Sequence, residues 1–246
     1  MSASPHFYLL AAAALTVSMC CAAEPLRLVT EENPPYNYAS RTVDGVAGIS
    51  TDIVAEAARR ASVAVEFERY PWARAYWLAQ HDANTCIYST VRSPAREGLF
   101  RWLGPIAFNR WALFARSDFP YALKSLQDTR RFTIGGAQQD ARTLYLRDLG
   151  YKVDAAPDDK LNPRKLQAKR IDLWVAGLYK GRSFASEQGV VDIKPVLVFH
   201  EVEYYLACNP KVDDTIYDKL VEQLDALRNE NYLNAYSPSI DEGKKH

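Results

Sequence analysis

Two arginines, Arg92 and Arg96, follow the apolar segment TCIYS (85–89) within the stretch YSTVRSPARE, Tyr88 to Glu97. A guanidinium is a rigid fork of donors that matches a carboxylate in bidentate fashion. If TCIYS is a strand, Tyr88, Ser89 and both arginines lie at its C-terminal end, the side on which open α/β sheets bind ligands. Arg92 reads best as the partner of Glu97 or Glu31 in a scaffold ion pair. Arg96 either clamps an anion or joins a pair of the same kind. A second polar constellation follows the apolar run LRLV: in TEENPPYNY (30–38), Pro34 and Pro35 end the strand and stiffen the loop. The carboxylates of Glu31 and Glu32, with Tyr36 and Tyr38 behind them, either face a small ligand or form a solvated turn whose tyrosines pack on the core edge. Trp72 and Arg74 follow a further strand and reach the same opening, where Trp72 is a wall, a lid or a core residue. QQDAR (138–142) places Gln139, Asp140 and Arg142 at a helix start, where free N–H groups favour anions. Asp140 there is equally an N-cap. Trp174, on a later strand, stacks on a ligand or fills a core.

Other chemistry finds no support. Of four histidines, His81 and His200 are far apart and the other two lie near the ends, so no metal-ligand spacing emerges. IGGAQQD lacks the third glycine and the lysine of a phosphate loop, and no nucleophile elbow or Cys/His pairing occurs. No catalytic residue and no cofactor is expected.

The elements that must position these residues follow from periodicity. LRLVT, VEFERY and TCIYS read as strands; GISTDIVAEAARRASV carries Ile49, Ile53, Val54, Ala57 and Ala58 on one helical stripe, capped by Ser50 or Thr51; PWARAYWLAQ is a short helix opened by proline. Strand and helix alternate as in a parallel unit. WALFARS (111–117) is a further strand, and the polar DFPYALKSLQDTRR leads to a second α/β unit with strands FTIGG, YKVDAA and DLWVAG and helices at QDARTLYLRDLG and NPRKLQAKR. VLVFHEVEYYLACNP (196–210) returns as strand, and DDTIYDKLVEQLDALRNE places Ile216, Leu220, Leu224 and Leu227 at helical spacing. The chain thus enters one lobe, crosses to another and returns, with lobe 1 over 24–117 and 200–246 and lobe 2 over 118–199. A cleft between two such lobes suits a small ligand, and two crossings make a hinge.

The 246 residues are 48% hydrophobic and 24% charged, enough to bury a sizeable core. Thirty basic residues balance thirty acidic ones, so no field gathers nucleic acid or an anionic membrane. FYLLAAAALTVSMCCAA, near the start, is too short to span a membrane and reads as a secretory signal peptide over 1–23; lipidation at Cys20 or Cys21 ranks below simple cleavage. In an exported chain the remaining Cys86 and Cys208 suggest a disulfide, with two buried free thiols as the alternative.

The order of LRLVTEENPPYNY, the DIVAEAARRA helix, YPWARA, S-P-A-R-E-x-L-F before W-L-G-P, and the terminal DKLVEQLDAL helix resembles the family 3 bacterial extracellular solute-binding proteins, the polar amino-acid-binding type. The resemblance implies a two-lobe type II periplasmic-binding-protein fold, each lobe a mixed α/β sheet flanked by helices. It implies a monomer in the periplasm that closes on a small polar ligand and delivers it to an ABC-type permease. Glu31, Tyr36 and Arg96 match the family's ligand-contacting acid, aromatic and carboxylate-binding arginine, with Ser93 and Ala95 in place of its threonine and glutamate. Gln139 and Asp140 stand where the family often has glycine and threonine, and its amine-binding aspartate falls near Gly177, so a carboxylate or other polar solute with an apolar part is as open as an α-amino acid. The resemblance also makes the strands of Cys86 and Cys208 neighbours. Cyclohexadienyl-type dehydratases share this fold and would need Glu31 or Asp140 as a buried acid; a sensory module reporting to a separate receptor is a third reading.

Overall fold

The computed structural model describes residues 24–40 and 45–230; the leader assigned to 1–23 lies outside them. The strands are β1 (Leu26–Thr30), β2 (Tyr38–Ala39), β3 (Val46–Ala47), β4 (Val65–Arg69), β5 (Thr85–Val91), β6 (Arg101–Arg116), β7 (Ile134–Ala137), β8 (Val153–Ala156), β9 (Leu173–Gly177) and β10 (Ile193–Cys208). The helices are α1 (Ile49–Ala61), α2 (Trp72–His81), α3 (Ala141–Asp148), α4 (Asn162–Gln167), α5 (Leu178–Glu187) and α6 (Asp214–Asn229). Eight strands form one mixed sheet in the order β4-β1-β5-β10-β6-β9-β7-β8.

That order divides the sheet into two halves. β1 pairs in parallel with β4 and β5 on one side, and β7 in parallel with β8 and β9 on the other. The sixteen-residue strands β6 and β10 run antiparallel to each other from Arg101 opposite Cys208 to Arg116 opposite Ile193, and so belong to both halves. Helices cover the sheet. The α1 and α6 stripes place Ile53, Val54, Ala57, Leu220 and Leu224 in one core with Leu26, Leu28 and Leu206; Phe114, Trp174 and Phe184 centre a separate core beyond the crossing.

Local chemistry explains the loop after β1. The carbonyls of Pro35 and Tyr36 accept hydrogen bonds from Ile49 N (3.0 Å) and Ser50 N (2.9 Å), filling the helix's free donors with backbone. The cap residue of α1 is therefore Gly48, not Ser50 or Thr51, which are buried within the first turn. Its φ of 127° and the 2.5 Å between a would-be Cβ and Tyr36 O both require glycine. The proline-rich loop is thus an anchor for α1, and the Tyr36 hydroxyl donates to Phe108 O at 2.6 Å to tie it to β6.

Cys86 and Cys208 are disulfide-bonded and opposite each other on β5 and β10. The bridge closes 122 residues of sequence, including the whole second half of the sheet. Its loss is expected to cost about 2–5 kcal/mol. Urea unfolding of the protein with and without dithiothreitol, and of a Cys86→Ala/Cys208→Ala variant, is expected to show the same lowered midpoint in reduced and variant forms; an unchanged midpoint would contradict the role given to the bridge.

Candidate functional site

Arg96 occupies the junction of the two halves. The chain leaves β5 at Val91 and turns through a 3-10 helix at Pro94–Leu99, which folds the Arg96 side chain back beneath the strand end. The residue is 3% exposed. Its NH1 donates to Val91 O at 3.2 Å and its NH2 to Gln139 O at 2.9 Å, the latter across the cleft. The guanidinium carbon lies 5.1 Å from the Trp72 ring and 5.0 Å from the Tyr76 ring, both supplied by α2. Gln139 has a φ of 57°, which turns its carbonyl toward α2, where Trp72 Nε1 donates to it as well at 3.1 Å. Among the described residues no carboxylate pairs with Arg96. Burial accordingly pulls its pKa below the ordinary arginine value, while Tyr76, Asp140 and Glu31 pull the other way.

The remaining charges form a ladder of alternating sign. Glu31, from the loop after β1, accepts from Lys180 Nζ at 2.9 Å. Lys180, from α5 in the other half, is 2% exposed and also lies 3.5 Å from Asp159 Oδ2. Asp159 Oδ2 in turn is 3.6 Å from Arg142, whose Nε and NH2 grip both oxygens of Asp140. Burial opposes the Lys180 ammonium, but Glu31 and Asp159 outweigh it and raise its pKa above the ordinary lysine value. Burial likewise pushes the Asp140 carboxyl up, and the Arg142 charge and hydrogen bonds overturn that push and hold it well below the usual carboxylate range. Asp140 also caps α3 by accepting from Arg142 N at 2.8 Å, so its cap and its ion pair coexist.

Of the residues singled out from sequence, Glu31, Trp72, Ser89, Arg96, Asp140 and Arg142 line a common chamber, with Trp111 and Tyr204 as further walls. Its volume is about 20 Å³, room for roughly one water molecule. Gln139 meets the site through its carbonyl. Tyr36 and Tyr88 are buried in the core of the first half, Tyr88 hydrogen-bonded to Thr51 at 3.1 Å. Trp174 belongs to the core alternative rather than the ligand wall: it is fully buried, and its Nε1 donates to Asp159 Oδ1 at 2.9 Å, fixing a rung of the ladder from behind. Arg74 is exposed over the Tyr70 ring at 4.7 Å, away from the chamber. Arg92 pairs with the exposed Glu97, as its scaffold reading has it. Sequence reasoning did not single out Lys180, Asp159 or Tyr204. Lys180 sits in LYKGRSFASE, where Gly181 breaks helical regularity; that glycine admits the Phe114 ring, whose nearest atoms would lie 2.4 Å from a Cβ.

The architecture is that of type II periplasmic binding proteins. Among solved structures, a histidine kinase sensor domain similar to periplasmic binding proteins superposes with a TM-score of 0.77 at 21% identity, over 86% of this chain and 93% of that one. An ancestral arginine-binding protein bound to glutamine gives 0.73 at 17% identity, over 86% and 95%. The GluR0 ligand-binding core from Nostoc punctiforme in complex with L-glutamate gives 0.70 at 17% identity, over 86% and 97%. Among curated protein sequences, none matches the chain. Residues 26–237 match bacterial extracellular solute-binding proteins, family 3, and the chain belongs to that family.

The Asp140–Arg142 pair sets an acid limit. Because the folded carboxyl titrates below its ordinary 3.8, the stability it contributes is fully present above that value and is lost as pH falls through and beneath it. Asp140→Asn leaves Arg142 with only the longer 3.6 Å contact to Asp159 and is expected to cost about 3 kcal/mol at neutral pH. Denaturation midpoints measured from pH 7 to 2 are expected to fall in the acid limb for the wild type and to be lower but flatter for the variant; parallel curves would overturn this assignment.

Proposed function

We propose that the protein is an exported solute-binding protein of the periplasm that captures a small carboxylate-bearing ligand between two lobes, residues 24–117 with 200–246 and residues 118–199, and passes it to an ABC-type permease. The observation that carries this reading is Arg96, a buried guanidinium at the meeting of the halves that, among the described residues, has no carboxylate within ion-pair distance. An incoming carboxylate supplies a partner at contact distance. β6 and β10 serve as the two hinge strands, and the cross-cleft bonds to Gln139 O and Lys180 form on closure. Closure is then driven by whatever differential affinity the ligand has for the closed form.

The protein binds rather than transforms. Asp140 is held low by Arg142 and cannot serve as a general acid; burial pushes the Glu31 carboxyl above its ordinary range against the pull of Lys180, so Glu31 is the group through which a dehydratase-like reaction would have to act. Prephenate or arogenate incubated with the protein is expected to be recovered unchanged. A sensory role is the second reading, favoured by the histidine kinase sensor domain among the similar structures. Loss of solute uptake in a deletion strain supports delivery to a permease, and a lost transcriptional response with intact uptake supports sensing.

Thermal shift with amino acids and organic acids, followed by calorimetry of any stabilising compound, tests the site. A ligand at a hundred times its Kd adds about 2.7 kcal/mol of stability. Arg96→Ala is expected to weaken that ligand by about thirtyfold or more, the ~2 kcal/mol or greater cost of truncating one partner of a buried charge pair. Arg228→Ala, which breaks an exposed pair with Asp225 on α6 and lines neither the chamber nor the grooves beside it, is expected to leave binding unchanged. Equal affinity of the wild type and Arg96→Ala would overturn the assignment.

A further inference from the structure

The chamber at Arg96 is too small for an organic solute, but it is not closed. At Val91, Arg96, Trp111 and Ala141 it meets a groove of about 700 Å³, within the range that small-molecule sites occupy. The groove runs between the Arg92–Arg96 turn, α3 and β10. Its walls are largely apolar: Trp111, Leu144, Tyr145, Val202 and the Tyr205 ring. His200 lies between two of these, 4.9 Å from the Trp111 ring and 5.0 Å from that of Tyr145. Its charged groups, Arg92, Asp148, Glu201 and Glu203, include two that are already engaged, Arg92 by Glu97 and Glu203 by the Tyr205 hydroxyl.

A second groove shares Glu31 and Trp72 with the chamber but not Arg96. It measures about 190 Å³ and mixes apolar walls, among them Tyr70 and Phe184, with the charges of Glu32, Arg69, Asp159 and Lys180. Those charges hold one another, Glu32 with Arg69 at 2.8 Å and Glu31 with Lys180 at 2.9 Å. An apolar group placed there would lie beside those ion pairs in the smaller space, whereas in the larger groove it would cover rings and Leu144, which is 39% exposed. A solute whose head reaches Arg96 therefore meets the larger groove directly and gains most there by burying an apolar remainder.

Resting on the reading of Arg96 as the anion clamp, we infer that the ligand is a carboxylate with an apolar, ring-sized tail, and that the tail lies in the groove walled by Trp111, Leu144 and Tyr145. The class is set by two features that meet at one residue: a buried guanidinium with no carboxylate in contact among the described residues, and an apolar trough opening directly from it.

Calorimetry with 3-phenylpropionate and L-phenylalanine, against succinate and L-arginine, tests this on the full-length protein. At least one of the two ring-bearing carboxylates is expected to bind more tightly than either polar compound, with quenching or a shift of tryptophan fluorescence from Trp111. Leu144→Glu, at a partly exposed position that leaves the charge ladder intact, is expected to weaken the ring-bearing compound about tenfold or more, while Leu144→Met retains it. If succinate or L-arginine binds in preference and Leu144→Glu changes nothing, the tail assignment is overturned while the Arg96 clamp stands. If no carboxylate binds a protein that remains folded by circular dichroism, both readings fall.

Discussion

The ion pair between Glu31 and Lys180 joins the two halves of the molecule, and the rest of the site is arranged around it. Removing an isolated ammonium or carboxylate from water costs several kcal/mol, so a lysine only 2% exposed demands compensation on every side. One side is supplied across the cleft by Glu31 and the other within its own half by Asp159. Asp159 also faces Arg142, and Arg142 grips Asp140, so the ladder ends with one more carboxylate than cation, and Glu31 and Asp140 act on Arg96 at longer range. The halves meet through alternating charges beside a ring contact of Trp111 with Tyr145 at 5.6 Å. Such a contact is conditional: were the halves to part, Glu31 and Lys180 would regain water, and the penalty that opposes their burial would disappear with the pair that offsets it.

Arg96 stands outside this ladder, and that gives the site its sense. Among the described residues, the ladder and Arg96 together bring three acids and three bases to the junction, and two of the bases hold all three acids at ion-pair distance. The third base is stabilised by two aromatic faces and two carbonyls, partners that tolerate a cation without neutralising it. The backbone supports the arrangement from behind: the loop after β1 is pinned to α1 through Pro35 and Tyr36 carbonyls, Trp174 holds Asp159, and Gly181 lets α5 lie close enough to Phe114 to point Lys180 inward. Each is a structural residue whose effect on function passes through a charged neighbour.

Much of this was legible in the sequence where periodicity and strand-end position carry the signal. The α1 and α6 stripes read directly from spacing, and Arg96, Glu31 and Asp140 were found because they follow strands. The elements that escaped have physical reasons. The first part of β6, Arg101–Arg110, contains Gly104 and Pro105, residues that ordinarily end a strand, and is held by pairing with an equally long β10. Helix α5 has a glycine at its centre, which lowers helical propensity but makes room for a ring. Lys180 was missed because a lysine on a helix defaults to solvent; only the fold brings two carboxylates to it. Trp174 looks the same from sequence whether it stacks on a ligand or fills a core, and the cost of leaving its indole N–H unpaired was met by Asp159.

The measurement that bears most directly on the joining role of Glu31 is small-angle X-ray scattering of the ligand-free protein beside Glu31→Gln, which keeps the shape of the side chain and removes its charge. With the cross-cleft pair formed on closure, the wild type contracts when ligand is added, whereas the variant contracts less and keeps the larger radius of gyration. Superimposable curves for the two proteins, both unresponsive to ligand, would show that the halves are held together by something else.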